Sequence, residues 1–388
     1  MSGARNGIPC PLIMGHYGGH NTGDEAMLAG LLKAVGPDLR RHTAVVVKDE
    51  LIEGQFLNSG VKLVHAGLGP VLGALLKTDN VILGGGTHFH DDYRTWRYLR
   101  HLRYMLRFVS ISILAKLLGR KVTWLGMGFG PFYRRPTRWV TRLGLKFCDR
   151  VSVRDSKSLE EIATWVPANK LDLAFDLAAL MICNSNGHFT SRRTGEFCCK
   201  TLGVSVTSVS HSISGGPRLD SVIWQRLAGA LSRVLGENRN LRVKVLVLRG
   251  GGREDDLAVS SQVYRALIAQ YPGRADLVPY QPDPNETLRK IAECDAFVGT
   301  RYHAGVLAYL AGCRLLLVAY HRKVRDLAKE IGLSGEACID LSDCVEENLL
   351  FDRLKRITTG DETFRARMPV HDAMQRAILN IRTFQQSL

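Results

Sequence analysis

Residues 11–34 have the sequence PLIMGHYGGHNTGDEAMLAGLLKA, in which the hydrophobic period changes within a few positions. Residues 11–15 form a short apolar run, as in a buried strand. A glycine-rich stretch follows, and over residues 24–35 apolar side chains recur at helical spacing. A strand, a glycine turn and a helix in this order favour an α/β fold with a parallel sheet.

The same alternation continues along the first half of the chain. Further apolar runs predict strands at residues 44–48, 61–65, 80–84, 121–126 and 150–153. A longer amphipathic stretch predicts a helix over residues 95–118. Continuous apolar strands are buried on both faces, which is typical of a parallel sheet covered by helices on both sides.

A change of composition divides the chain in two. Between residues 184 and 200, turn-forming residues replace the apolar periodicity, and this predicts a linker. Strands are expected again at residues 202–206, 243–248, 277–280, 296–299 and 315–319. The intervening helices are expected at residues 221–235, 254–270, 285–294, 303–311 and 324–331.

We therefore expect an α/β protein with two Rossmann-like lobes whose parallel sheets face a cleft. The N-terminal lobe would span residues 1–183, with its basic helices, and the C-terminal lobe residues 201–345. The tail at residues 346–388 is expected to be helical and to pack back on the first lobe.

Composition limits the possible classes of protein. The chain has 388 residues, 45% of them hydrophobic, which excludes a disordered protein. Lysine and arginine number 52 against 37 acidic residues, and the net charge of +15 predicts an anionic partner. Nine scattered cysteines without a C-x-x-C pair favour a reduced, cytoplasmic setting. We also expect neither a signal peptide nor a membrane span.

Two glycine-rich stretches follow predicted strands. Residues 15–25 (GHYGGHNTGDE) follow the first strand and residues 83–92 (LGGGTHFHDD) the fourth. Glycines let the backbone approach a ligand, and a helix N-terminus offers N–H groups to an anion. The alternatives are a glycine turn with Asp24 as helix N-cap for the first stretch, and a plain turn for the second. The first stretch lacks the Gly-Lys-Ser/Thr that ends an ATP-binding loop, which argues against an ATPase. A metal site in the second stretch would lack a fourth ligand nearby.

Cationic side chains follow three other predicted strands, at the end where such sheets bind ligands. Arg154 is placed to hold a carboxylate or phosphate with its guanidinium. The alternative is a structural pairing of Arg154 with Asp155, with Asp155 or Ser156 capping the next helix, and for Asp155 this structural role is expected. Arg301 and His303 combine a fixed cation with a residue type that titrates near neutral pH. The following strand ends in YHRK at residues 320–323, with three more potential cations.

Taken in order, these motifs resemble those of the polysaccharide pyruvyl transferase family. The resemblance covers roughly residues 11 to 333, and the ordered set is more specific than any single motif. The matching segments are residues 15–25, 84–91, 126–131 (GMGFGP), 151–155, 172–175 (DLAF), 301–304 (RYHA) and 320–323 (YHRK).

The resemblance implies a GT-B-like fold, with the sugar acceptor on the first lobe and the donor on the second. It also implies transfer of pyruvate from phosphoenolpyruvate onto two hydroxyls of a sugar in a polysaccharide or a lipid-linked glycan precursor. The products would be a cyclic ketal and phosphate, and no cofactor or metal is expected. Since phosphoenolpyruvate carries a carboxylate and a phosphate on a small frame, several cations must converge on it.

Similarity to the family also implies the roles of individual residues. His303 would be the general acid, Arg154 and Arg301 the clamps on the donor anion, and Asp91 the general base. The expected substrate-binding residues are Gly18, Asn21, Gly23, Asp24, Gly85, Gly86, Thr87, Tyr302 and Lys323.

The first lobe carries two basic stretches. One of them, over residues 134–150, alternates cations with apolar residues. In the other, Leu99 and Leu106 would lie on the apolar side of a helix. Its arginines fall at helical spacing: Arg94, Arg97, Arg100, Arg103 and Arg107. Such a stripe suits an anionic membrane surface at the inner face of the cell membrane, and a solvated helix packed on the sheet explains it equally well. Nucleic acid is not expected, because no recognition motif is present.

Two other functions are compatible with these patterns. Nucleotide-sugar glycosyltransferases use the same two-lobe fold, because fold does not fix function. A non-catalytic module that binds membranes or polyanions would also carry a large positive charge. The donor that protects the protein against thermal unfolding distinguishes the two enzymes, and the effects of His303→Ala and Arg301→Ala test the non-catalytic alternative.

Overall fold

A computed structural model describes residues 10–48, 60–91, 95–183, 199–209, 216–251, 255–341 and 346–386. The chain divides into two compact units, here called unit 1 and unit 2. Unit 1 comprises residues 1–19, 24–183 and 374–388, and unit 2 comprises residues 20–23 and 184–373. All but the last two residues of the predicted linker at 184–200 lie outside the described part of the chain.

Unit 1 is built on a seven-stranded sheet in the order β3-β2-β1-β4-β5-β6-β7, and its neighbouring strands are parallel. The order reverses between β1 and β4, where Leu12 pairs with Val81. The strands are β1 Pro11–Met14, β2 Ala44–Val47, β3 Lys62–His65, β4 Asn80–Phe89, β5 Lys121–Phe129, β6 Arg150–Val153 and β7 Leu171–Leu173.

Crossover helices cover this sheet. They are α1 Thr22–Ala34, α2 Gly36–His42, α3 Leu68–Leu75, α4 Thr95–Leu117, α5 Arg135–Lys146 and α6 Ser156–Ile162. Short 3-10 turns occupy Ala168–Lys170 and Leu177–Ile182. The helices enclose a core in which Trp124 and Phe89 are fully buried and their rings stack at 4.6 Å. Burial of a large apolar side chain stabilises a fold by roughly 1.5–3 kcal/mol.

Unit 2 repeats the plan with six parallel strands in the order β10-β9-β8-β11-β12-β13. The strands are β8 Thr201–Ser205, β9 Arg242–Leu246, β10 Ala275–Val278, β11 Ala296–Gly299, β12 Arg314–Ala319 and β13 Cys338–Asp340. The helices are α7 Gly216–Glu237, α8 Leu257–Gln270, α9 Pro284–Ala292, α10 Tyr302–Leu310, α11 Arg322–Glu330 and α12 Glu347–Thr359. The predicted α/β class with two parallel sheets is confirmed.

The C-terminal tail is divided between the units, since α12 lies in unit 2 and the last helix, α13 Val370–Gln385, ends in unit 1. Asn380 of α13 is fully buried and joins two segments of unit 1. Its Oδ1 accepts a hydrogen bond from Ser152 Oγ at 2.6 Å, and its Nδ2 donates to the Phe175 carbonyl at 2.9 Å. Among the described helices, none combines the length and the apolar character that a membrane span needs.

Several local expectations need correction. The glycine triplet at residues 84–86 was predicted as a loop after a strand, but β4 continues through it to Phe89 because Gly86 still pairs with Met127 of β5. Asp24 is not the N-cap of α1, which already begins at Thr22. Leu99 and Leu106 were placed on the packed side of α4, but 58% and 37% of their surfaces are exposed.

Candidate active site

Unit 2 contains a pocket beside the carboxyl ends of β9, β11 and β12. It encloses about 340 Å³, counting the solvent at its mouth. Its lining consists of Asn21, Gly23, Leu248, Arg301, Tyr302, His303, Ala304, Tyr320 and Lys323. Six residues that the sequence analysis singled out therefore surround one cavity: Asn21, Gly23, Arg301, Tyr302, His303 and Lys323.

The turn from β11 into α10 places three of these side chains. Strand β11 is buried, and Thr300 anchors its end by donating hydrogen bonds from both its N–H and its Oγ1 to the Ser205 carbonyl. Helix α10 begins immediately afterwards, and its N-cap residue Arg301 makes no side-chain cap. The positive end of a helix dipole therefore lies at the pocket wall formed by Tyr302, His303 and Ala304.

Arg301 is held by a carboxylate that the sequence analysis missed. Its Nε and Nη2 donate to the two oxygens of Asp256 at 2.5 and 2.6 Å. Asp256 is fully buried, and this burial raises the pKa of its carboxyl against the attraction of the guanidinium. The bidentate contact fixes the plane of the Arg301 guanidinium at the pocket.

Asp256 was missed because it looks like an ordinary acid at a helix start. It precedes α8, and its neighbour Asp255 does accept the N–H of Leu257 at 2.7 Å. Asp256 itself makes no cap. The one signal in the sequence was the run of three consecutive acids at residues 254–256, of which a helix start needs only one.

The imidazole of His303 lies against Gly23. A Cβ atom added at Gly23 would be 2.0 Å from Nδ1 of His303, so this approach requires glycine. The ring of Tyr302 meets that of His303 edge-on, with centroids 5.1 Å apart. Within the glycine-rich stretch at residues 15–25, it is therefore the second half that packs on His303.

Residues 20–23 belong to unit 2 although they start the first crossover helix. The Thr22 N–H donates to the Leu248 carbonyl at 3.0 Å, and the Gly250 N–H donates to the His20 carbonyl at 3.0 Å. The Asn21 side chain accepts the N–H of Gly23 at 3.3 Å. These bonds hold the stretch next to the end of β9 and so place Asn21 and Gly23 at the pocket.

Lys323 adds a cation from the next strand end. The His321 Nδ1 accepts the Lys323 N–H at 3.2 Å and caps α11, and the Arg322 Nε contacts Asp326 at 3.1 Å. Within the described ranges, no carboxylate forms an ion pair with the ammonium of Lys323. The pocket therefore carries an excess of positive charge, which suits an anionic ligand.

Arg154, the other predicted clamp, lies in unit 1 and is 2% exposed. Its guanidinium contacts Asp176 at 3.3 Å and Asp155 at 3.5 Å, and its Nη2 donates to Thr87 Oγ1 at 2.8 Å. Asp155 also accepts the N–H of Ser158 at 2.7 Å, so its predicted capping of α6 is confirmed. The role of Arg154 in donor binding stays a prediction.

Asp91 holds the start of α5. Its buried carboxylate accepts the N–H groups of Tyr133 and Arg134 at 2.7 Å and the hydroxyl of Thr137. The Arg134 guanidinium contacts the same carboxylate at 3.7 Å. These bonds give Asp91 a structural role, and its assignment as general base stays a prediction that must compete with this role.

The other residues of unit 1 that were predicted to bind substrate contact side chains of the same unit. Gly18 has a φ of +76° and donates its N–H to Oε1 of Glu25 at 3.0 Å. Glu25 is fully buried, and burial, followed by the nearby charge of Asp24, raises the pKa of its carboxyl to about 8. Gly85 and Gly86 have φ values of +66° and +88°, and a Cβ at Gly85 would be 2.5 Å from the Met27 sulfur.

A histidine cluster accompanies this region. The Tyr104 hydroxyl lies 3.0 Å from Nδ1 of His88, and Lys48 Nζ lies 2.9 Å from Nδ1 of His16. Burial, followed by the charge of His16, lowers the pKa of His88 to about 4. In the parts of the chain described here, no three histidine, cysteine or acidic side chains are placed to hold a metal ion.

Comparison with known proteins places these features in context. A family model described as polysaccharide pyruvyl transferase matches residues 21–322. Comparison with curated proteins gives no match. Among solved structures, a putative UDP-N-acetylglucosamine 2-epimerase from Listeria monocytogenes is similar, with a TM-score of 0.60 and 10% identity, over 98% of this chain and 97% of that chain.

Two further structures agree with it in fold. The UDP-GlcNAc 2-epimerase from Neisseria meningitidis, bound to UDP-GlcNAc, has a TM-score of 0.59 and 9% identity over 97% of this chain and 99% of its own. HepE from Anabaena, in complex with UDP and glucose, has a TM-score of 0.53 and 12% identity over 98% and 99%. At such low identity these likenesses show the GT-B-like fold alone.

Proposed function

The chain belongs to the polysaccharide pyruvyl transferase family, and from this premise we propose that it transfers the pyruvyl group of phosphoenolpyruvate to a sugar. The acceptor would be a sugar of a polysaccharide or of a lipid-linked glycan precursor. Two of its hydroxyls would be bridged in a cyclic ketal, and phosphate would be released.

One observation carries the proposal. Arg301, His303 and Lys323 surround a single pocket at the start of α10, where the helix dipole is positive. Arg301 is fixed by Asp256, whereas no carboxylate in the described residues pairs with Lys323. A donor with two anionic groups close together needs such a convergence of cations, because each group must exchange its water for fixed donors.

The chemistry assigns one proton transfer to His303. Its imidazole gives a proton to the methylene carbon of phosphoenolpyruvate, and C2 gains cationic character. One sugar hydroxyl bonds to C2, the bond from C2 to the phosphate oxygen breaks, and the second hydroxyl closes the ketal ring. The donating group is the imidazolium, which becomes a neutral imidazole; the first hydroxyl proton restores the imidazolium and the second leaves on the phosphate, so that atoms and charges balance.

Unit 1 supplies the residues proposed for the remaining roles. Arg154 would be a second contact to the donor anion, supported by its place at a strand end. Asp91 would be the general base, but this assignment has less support since three groups already donate to its carboxylate. Neither role enters the argument for the pocket of unit 2.

A nucleotide-sugar glycosyltransferase is the alternative. It is favoured by the fold alone, which the epimerase bound to UDP-GlcNAc and HepE share with this chain. The two functions differ in the donor and in the released product, so one assay separates them.

We would incubate the purified protein with phosphoenolpyruvate and a panel of simple and lipid-linked glycosides, and measure phosphate. Release of phosphate that depends on both donor and acceptor supports the proposal. Stabilisation by phosphoenolpyruvate in a thermal shift, without stabilisation by UDP-sugars, would agree with it. Release of UDP from a UDP-sugar, with no turnover of phosphoenolpyruvate, would establish the alternative.

A further inference from the structure

Helix α5 has one buried side and one basic side. The buried residues follow helical spacing: Thr137, Val140, Thr141, Gly144 and Leu145. The opposite side exposes Arg135, Arg138, Trp139, Arg142 and Lys146. Trp139 keeps 62% of its surface in contact with solvent, although tryptophan is among the side chains that gain most from burial.

Helix α4 presents a similar mixture. Arg100, Arg103 and Arg107 are exposed on it together with Leu99 and Leu106. The first arginine of the predicted stripe, Arg94, lies outside the described residues. Over residues 99–107, which the structure describes, exposed arginines alternate with exposed leucines. This is not the purely basic face of an ordinary solvated helix.

The two helices are neighbours in unit 1. They pack against each other, and the Arg134 guanidinium lies 4.2 Å above the ring of Tyr98 between them. Neither helix contains an aspartate or a glutamate. Of the exposed cations, Arg103, Arg135, Arg138 and Lys146 form no ion pair within the ranges that the structure describes.

We propose that this face, formed by the exposed residues of α4 and α5 and here called the basic-aromatic face, binds the surface of an anionic lipid bilayer. The cations would contact lipid phosphates, while Trp139, Leu99 and Leu106 enter the boundary between headgroups and acyl chains. A soluble polyanion would use the cations alone and would leave the exposed apolar side chains in water.

The proposal is independent of the proposed function. The basic-aromatic face belongs to unit 1, and every residue that lines the pocket belongs to unit 2. Binding to vesicles requires neither donor nor acceptor, so a negative result would leave the pyruvyl transfer untouched.

The test compares binding to vesicles of phosphatidylcholine with binding to an equimolar mixture of phosphatidylcholine and phosphatidylglycerol. Wild-type protein should sediment with the mixed vesicles, and less so as salt is added. The triple variant Arg135→Gln, Arg138→Gln, Lys146→Gln should bind them roughly a hundredfold more weakly, because each cation near the surface contributes about fivefold.

A matched triple variant controls for overall charge. Arg239→Gln, Arg265→Gln, Lys329→Gln removes the same number of exposed cations from unit 2. It should bind the mixed vesicles nearly as well as the wild type. Equal weakening by the two triple variants would mean that net charge governs binding, which would overturn the proposed face.

Trp139 separates a bilayer from a soluble polyanion. Vesicles should shift the tryptophan emission of the wild type to shorter wavelength, and Trp139→Phe should lose this shift. Dextran sulfate, added in place of vesicles, should give no shift. If dextran sulfate binds through the same three cations while mixed vesicles give neither sedimentation nor a shift, the face binds polymers and the proposal is wrong.

Discussion

Arg154 and Arg301 come from similar sequence signals and have different surroundings. Each follows a buried parallel strand and precedes a helix. Arg154 contacts two carboxylates and is 2% exposed, whereas Arg301 is bound by Asp256 and lines a pocket. Both guanidinium groups therefore have carboxylate partners, and what distinguishes Arg301 is that it also lines a pocket that an anion can enter.

The glycines of the two units also differ in the side chains that they accommodate. Those of unit 1 make room for the unit's own side chains, as Gly85 does for Met27. Gly23 makes room for His303, which is exposed to the pocket of unit 2. We therefore expect substitutions in unit 1 to lower stability and those around the pocket to lower turnover.

The largest effect is expected for His303→Ala. The loss of acid–base positioning should reduce kcat by about 10² to 10⁴, with little change in the melting temperature. The control is His371→Ala, an exposed histidine of unit 2. Acceptor-dependent phosphate release measures both variants, and turnover within tenfold of the wild type for His303→Ala would contradict its role.

Arg154→Ala should act on stability as well as on the proposed donor contact. The change leaves Asp155 and Asp176 without their buried cation, so the free energy of unfolding should fall by about 3–5 kcal/mol. Urea unfolding measures this, and adding Asp176→Asn should restore part of the loss. An unchanged unfolding curve would show that the two carboxylate contacts of Arg154 do not stabilise the fold.

Gly23→Ala should reproduce a milder form of the His303 defect. The new methyl group must displace the imidazole, and a displacement of about 1 Å costs on the order of a hundredfold in turnover. Gly73→Ala is the matched control, since Gly73 also lies in a helix and a Cβ added there would meet no atom within 4 Å. Wild-type kinetics for Gly23→Ala would place the reacting imidazole elsewhere.

The smallest effect concerns Glu25 and pH. Because burial raises the pKa of Glu25 from 4.5 to about 8, the folded protein keeps a proton that the unfolded chain loses. Its contribution to stability is complete below pH 4.5 and is lost as the pH rises to about 8. Between pH 6.5 and 8 this amounts to about 2 kcal/mol, at about 1.4 kcal/mol per unit.

His88 does not contribute in that range. Its pKa is lowered from 6.5 to about 4, so it costs stability only as the pH falls below 6.5. Glu25→Gln, which can still accept the Gly18 N–H, should flatten the decline of unfolding free energy between pH 6.5 and 8. Glu160→Gln, at an exposed acid of unit 1, should keep the wild-type slope. A slope that survives Glu25→Gln would refute the assignment.

The sequence was sufficient for most of the sheet architecture because buried parallel strands are apolar along their whole length. It missed β7 and β13, which have three residues each and lie at the sheet edges, where no apolar run is needed. It also ended β4 too early, since the pairing of Gly86 with Met127 depends on the neighbouring strand.

The residues of the pocket could be proposed from local motifs because Arg301, His303 and Lys323 immediately follow their strands. Asp256 could not be proposed, because its partner Arg301 is 45 positions away. The bonds of Asp91 to Tyr133 and Thr137 could not be proposed either, because Thr137 follows Asp91 by 46 positions. Local sequence shows which side chains stand at strand ends, but the packing of distant segments decides whether they are already neutralised.

The placement of α13 has a consequence for biosynthesis. Ser152 and the Phe175 carbonyl bond to Asn380, which follows them by 228 and 205 positions. While the chain emerges from the ribosome, these groups cannot bond to Asn380 until most of unit 2 has been translated. Unit 1 therefore reaches its native state late, after the contiguous part of unit 2 has been made, and a nascent chain still lacking α13 would leave Ser152 and the Phe175 carbonyl without their bonds to Asn380.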